Sequence, residues 1–139
     1  MDSEFVETAY RPTDDEPFMN PRQIDYFRKK LLAWKDEILK ESRETLEHLQ
    51  EASVAHADMA DRASSESDRA LELRTRDRQR KLISKIDAAL RRIEEGTYGY
   101  CEETGEPIGL ARLDERPIAT LSLEAQEGHE RREKVSRDN

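Results

Sequence analysis

Cys101 and Thr104 have two residues between them, Ser122 and Ala125 have two, and seventeen residues separate Thr104 from Ser122. This is the frame of a four-ligand zinc finger, in which two turns each offer a pair of donors to one tetrahedral ion. Cys101 is the single thiol of the set. Neutral hydroxyls are poor zinc ligands and Ala125 is none, so the frame predicts a degenerate module without zinc. A lone thiol can also be a nucleophile, yet no base stands beside Cys101 in the sequence, and His129 lies outside the frame. A second group is DMADRA, residues 58 to 63, where Asp58 and Asp61 are three residues apart. Carboxylate oxygens suit Mg²⁺ and its waters, or a basic cavity; turns also favour Asp for its bonds to the local backbone. A third is Arg74, Arg78, Lys81 and Lys85, spaced to share one helical face. Such a stripe reads either as a grip on phosphate or an acidic partner, or as a solvated face paired with a neighbouring helix.

The elements that carry these groups are mostly helical. Asn20, Pro21 and Gln23 supply an N-cap, a first-turn proline and a capping-box partner. Ile24, Phe27, Leu31, Trp34 and Ile38 then recur at helix-packing intervals. Beyond Ile38 the seam runs through Glu41, Thr45, His48 and Ala52, with a shifted stripe of Leu39, Leu46 and Leu49 partly replacing it. Neither Gly nor Pro occurs in the 74 residues from Arg22 to Glu95. The one break expected there is SVAHADMADRASSE, residues 53 to 66, with Ser64 or Ser65 capping the second helix. That helix carries the seam Leu82, Ile86, Ala89 and Ile93 and ends at Gly96. At 1.5 Å per residue each arm of the resulting antiparallel hairpin is about 45–50 Å long.

The finger frame follows, with Leu110, Leu113, Ile118, Leu121 and Leu123 as a dense apolar set. Pro107 and Pro117 restrict the unfolded chain, and Thr104 and Ser122 are placed to bond orphan backbone groups in the turns. The expected architecture is therefore all-α dominated: a long helical hairpin, coiled-coil in character, plus a small globular part with a degenerate zinc-finger-like module and a C-terminal helix. In segments, these are an acidic stretch over residues 1–19, the hairpin over 20–96 with its tip near 55–64, the finger-like module over 97–121, and the C-terminal helix and frayed tail over 122–139. Phe5, Val6, Tyr10 and Phe18 are the expected docking side chains of the first stretch.

Composition narrows the function. Charged residues make up 40% of the 139, hydrophobic residues 35%, and the net charge is -8. Binding to DNA draws its strength from cations neutralising phosphates, so this chain is expected not to bind DNA directly. One cysteine allows no intrachain disulfide. The N-terminal residues lack the apolar core of a signal peptide, and no run approaches the ~18–20 apolar residues of a membrane span. A cytoplasmic protein is expected.

The tip DxxDRA, the run ELRTRDRQRKLISKI and the segment GYC…TGEPIGLARLDERP, in that order, resemble the DksA/TraR family of bacterial transcription factors over about residues 20 to 134. The resemblance implies a non-enzymatic, monomeric factor that binds RNA polymerase directly. Its hairpin would enter the secondary channel and point Asp58 and Asp61 toward the active-site Mg²⁺, with Ala63 permitting close approach. It would destabilise open promoter complexes, inhibiting ribosomal RNA promoters and activating some biosynthetic ones. It would act with the alarmone guanosine tetraphosphate (ppGpp) in the stringent response, contacted by Arg78, Leu82 and Lys85. No other cofactor is implied. Two positions depart from the pattern: the ligand set reads Cys101, Thr104, Ser122 and Ala125, and Gln126 stands where relatives place a Lys beside the alarmone. A transcript-cleavage type of secondary-channel factor, which also inserts an acidic hairpin tip, and a helical adaptor with no polymerase role are the alternatives.

Overall fold

A computed structural model describes the backbone of residues 10–55 and 59–138, and the side chains of residues 10–51 and 66–137. Helix α1 spans Pro21–Ala55, α2 Met59–Glu95, α3 Leu110–Glu115 and α4 Leu123–Asp138. Among the described residues there is no strand, and a single antiparallel bridge joins Tyr100 and Pro107. The expected all-α architecture, with a long helical hairpin and a small finger-like part, is what the chain forms. No helix among the described residues is long and apolar enough to cross a membrane.

α1 starts where the cap residues require. Asn20 Oδ1 accepts from the N–H groups of Arg22 (2.9 Å) and Gln23 (3.1 Å). Gln23 reaches back one residue beyond the usual capping box and accepts from Met19 N–H at 2.8 Å. Met19 has a φ of 55°, an uncommon left-handed value for a non-glycine residue, and it turns the chain just before the helix. α2 ends in a Schellman motif: Thr97 N–H donates to Arg92 O (2.9 Å) and Gly96 N–H to Ile93 O (3.2 Å). Gly96 stands at φ 79°, where a side chain would be strained.

The break between the long helices is shorter than the sequence suggests. α2 is already helical at Met59, so Ser64 and Ser65 lie within it and cap nothing. The reason is local: MADRA is rich in good helix formers and contains neither Gly nor Pro, and Asp61 in the first turn suits the positive helix end. Asp58 falls outside the described residues.

The contacts divide the chain into two compact units. One comprises residues 1–31 and 88–139. Its core joins Phe27, Leu31, Ala89, Ile93, Tyr98, Leu110, Leu113, Ile118 and Ala125, of which Phe27, Leu31, Ala89 and Leu113 have no exposed surface. Burying a side chain of this size contributes ~1.5–3 kcal/mol relative to leaving it in water. Tyr98 stacks obliquely on Phe27 (centroids 5.7 Å apart) and donates its hydroxyl to Pro117 O at 2.8 Å. Burial raises the Tyr98 phenol well above its ordinary value. The segment before α1 is docked here: Tyr10 meets Tyr26 edge to face at 6.1 Å, the Arg22 guanidinium lies 3.9 Å from the Tyr10 ring centre, and Phe18 meets Tyr100 at 5.5 Å. Phe5 and Val6 lie outside the described residues.

The second unit is residues 32–87, an antiparallel pair made by the C-terminal part of α1 and the larger, N-terminal part of α2. Ile38, Leu49, Gln79 and Ile86 are buried and Trp34 and Leu82 half-buried. Lys35 Nζ pairs with Asp87 Oδ1 at 2.7 Å. The seam past Ile38 runs through half-buried Ser42 and Thr45 to Leu49. Leu39 and Leu46 are 40% and 38% exposed, so the expected shift of the stripe onto them does not occur. Steps of four, three and four from Ile38 keep one face in register and reach Leu49.

Candidate functional site

The finger frame closes around one sulfur. Gly99 and Cys101 begin a hairpin in which Cys101 N–H donates to Glu106 O (2.8 Å), Gly105 N–H to Cys101 O (2.9 Å) and Ile108 N–H to Gly99 O (2.8 Å). Cys101 is 2% exposed. Burial pushes its thiol up, but hydrogen bonds from the Thr104 hydroxyl and from the N–H groups of Ser122, Thr104 and Glu103 outweigh this and bring it down to about 6. Three of the four frame positions thus meet, with Thr104 and Ser122 acting as donors to sulfur where a metal finger would need them as ligands. Their hydroxyls also hold the turns: Glu106 N–H donates to Thr104 Oγ1 and Ala125 N–H to Ser122 Oγ, both at 3.2 Å. Ala125 packs as a buried methyl.

This donor set does not fit a zinc ion. One thiolate, two alcohols engaged with backbone and a methyl group do not make four soft ligands. Among the described residues no three His, Cys, Asp or Glu side chains are placed to hold a metal ion. An open cavity of about 530 Å³ adjoins Cys101, with Arg91, Arg92 and Tyr100 among its walls.

The module is tied to α1 by a polar cluster that its spacing did not reveal. Tyr26 donates its hydroxyl to Asp114 Oδ1 at 2.6 Å, and Lys30 Nζ meets Asp114 Oδ1 and its backbone O at 2.7 Å each. Burial and the Asp114 carboxylate push the Tyr26 phenol up to about 12. The Lys30 ammonium, helped by Tyr26, holds Asp114 below the usual carboxylate range. On α4, His129 Nε2 contacts Glu103 Oε1, and Arg132 Nη2 stands 3.9 Å from Glu103 Oε2.

In the second unit, Asp61 and Ala63 occupy the opening turns of α2. Arg74, Arg78, Lys81 and Lys85 are all exposed, in keeping with one solvated face. Lys81 pairs with Asp77 at 3.2 Å within its own helix, and Arg78 Nη2 donates to Thr75 Oγ1 at 3.3 Å. Lys85 makes no ion pair among the described residues, and Leu82 is half-buried between these cations. The arrangement presents a guanidinium fork, an apolar ledge and an ammonium in order along one helix, a set able to grip a phosphorylated ligand. Gln126 is half-buried on α4, where its Nε2 donates to Glu130 Oε1 at 3.2 Å.

Two sequence profiles match the chain: the DnaK suppressor protein DksA N-terminal domain over residues 23–93, and the prokaryotic dksA/traR C4-type zinc finger over residues 96–131. A Caulobacter vibrioides (strain NA1000 / CB15N) protein is 76% identical over 130 residues, covering 94% of this chain and 92% of the relative. An Escherichia coli (strain K12) protein is 41% identical over 125 residues, covering 90% and 83%. Both carry the name RNA polymerase-binding transcription factor DksA. Among solved structures, transcription factor DksA2 from Pseudomonas aeruginosa aligns with a TM-score of 0.82 at 40% identity, covering 96% of this chain and 99% of that one.

Proposed function

The chain belongs to the DksA family of prokaryotic transcription factors, and from that premise we propose that it binds RNA polymerase and regulates transcription without itself catalysing a reaction. The observation that carries the reading is the 76% identity, over nearly the whole length of both chains, to a protein named for polymerase binding. The finer mechanism is that the hairpin enters the secondary channel, brings Asp58 and Asp61 near the active-site Mg²⁺ with Ala63 allowing the approach, and destabilises open promoter complexes. The position of Asp61 as the third residue of α2, at the start of that helix and not along its length, supports this. The factor works as a cytoplasmic monomer, does not bind DNA on its own, and holds no zinc.

ppGpp binds against Arg78, Leu82 and Lys85, the order of fork, ledge and ammonium being suited to a base and its phosphates. Gln126 supplies no cation, which weakens the synergy. Transcription from a ribosomal RNA promoter is the test. The wild-type chain inhibits, and Asp61→Asn, which removes charge but little volume, retains polymerase binding and loses most of the inhibition. Equal inhibition by both would sink the tip mechanism, and absence of any binding to polymerase would sink the whole reading. Lys85→Ala should raise the ppGpp concentration for half-maximal synergy roughly tenfold or more, the worth of one charge-assisted contact, with basal inhibition kept. Equal loss of both effects would make Lys85 a general docking contact.

A further inference from the structure

Counting back by sevens from Ile93 and Ile86, the packing line of α2 meets Gln79 and then Glu72. Gln79 is only 9% exposed, and its Oε1 has no hydrogen-bond partner among the described residues. Glu72 Oε2 is likewise buried and unpartnered, while Glu72 Oε1 stands 3.2 Å from His48 Nε2. Both residues line a cavity of about 430 Å³ within the second unit, shared with Glu41, Glu44, Thr45 and His48 of α1. Buried acceptors without donors are rare in native proteins and call for a partner.

The cavity wall does not provide one. The Thr45 hydroxyl donates to Glu41 O at 2.9 Å, and the Thr75 hydroxyl, also on the wall, to Leu71 O at 3.1 Å, so both protons are committed to their own helices. Among the described residues no Lys or Arg lines the cavity. Arg76 also leaves its buried Nε unpartnered, but it is not part of the wall. Three acidic residues and one amide residue thus line one space, in which His48, already engaged with Glu72 Oε1, is the one group able to carry positive charge among the described residues.

A metal ion does not suit the geometry, because among the described residues no three such side chains converge on a point. The acceptors are strung out instead. Glu72 and Gln79 are two helical turns apart, about 10 Å along α2, and Glu41 and His48 span the same length of α1. An elongated cation with several donors matches that layout. We propose that this trench binds a linear aliphatic polyamine, its ammonium groups donating to Glu72 and Gln79, with Glu41 and Glu44 adding attraction along its methylene chain. The proposal stands apart from polymerase binding.

Calorimetric titration of the full chain with spermidine at fixed ionic strength tests it. One saturable site is expected. Glu72→Gln and Gln79→Leu should each weaken binding by about tenfold or more, whereas Gln79→Glu, which adds a carboxylate of the same shape, should tighten it. Glu47→Gln, exposed on α1 outside the trench, should leave the affinity unchanged. Circular dichroism confirms that each variant retains its helix. No saturable heat, equal weakening by Glu47→Gln, or equal displacement by Mg²⁺ at the same charge concentration would each overturn the proposal.

Discussion

Cys101 and Asp114 carry the chemistry that can be read residue by residue. The Cys101 thiol is brought down to about 6 from the ordinary 9.0. Between those values the folded chain holds a thiolate while the unfolded chain binds a proton, so stability rises with pH across the window. Urea unfolding at several pH values between 6 and 9 should show that rise, and Cys101→Ser should flatten it. Thr104→Val, which deletes the hydroxyl donor, should move the thiolate's ultraviolet titration upward. For Asp114 the depressed carboxyl means that stability present at neutral pH is lost on acidification through its folded value. The carboxylate is 38% exposed, so Asp114→Asn should cost only about 1 kcal/mol, less in high salt. The frame of Cys101, Thr104, Ser122 and Ala125 was legible because spacing along the chain carries it. The donors from Ser122 and Glu103 were not, since the direction of a backbone N–H depends on how the turn closes. Nor was the Tyr26–Lys30–Asp114 cluster, whose partners lie more than 80 residues apart in sequence.

At the scale of elements, caps and seams decide where helices start, stop and pack. Asn20→Ala removes the acceptor for two N–H groups and should cost about 1 kcal/mol in urea unfolding. Leu113→Ala, at a site with no exposed surface, should cost ~2–5 kcal/mol, while Leu46→Ala should stay within about 0.5 kcal/mol. The starts and stops at Asn20 and Gly96 were readable because Asn, Pro and Gly act locally. The start of α2 was not, because several helix formers precede the serines and extend the helix past a plausible cap. The polar line through Glu72 and Gln79 was written in the heptad of Ile86 and Ile93. A polar residue at a packing position is easily mistaken for the end of the seam, whereas here it marks a buried layer.

For the whole molecule, the two compact units differ in how they are held. The unit of residues 1–31 and 88–139 has a dense apolar core. The unit of residues 32–87 relies on a few apolar contacts interrupted by Thr45, Glu72 and Gln79. Amide exchange should therefore be slowest near Leu31, Ala89 and Leu113 and markedly faster around residues 41–49. Heavy charge on a long hairpin was legible from composition and from the absence of Gly and Pro. The division into units was not, since both long helices contribute to each. One contact bears on protein engineering. Met19 sits against Gly99 so closely that a Cβ added there would lie 3.1 Å from its Cγ, and Gly99 itself holds a φ of 91°. A chimera that transplants a metal-binding finger from a four-cysteine relative must therefore keep glycine at this junction, or trim Met19 together with it. Otherwise the donor segment will misfit its new host even when every cysteine is in place.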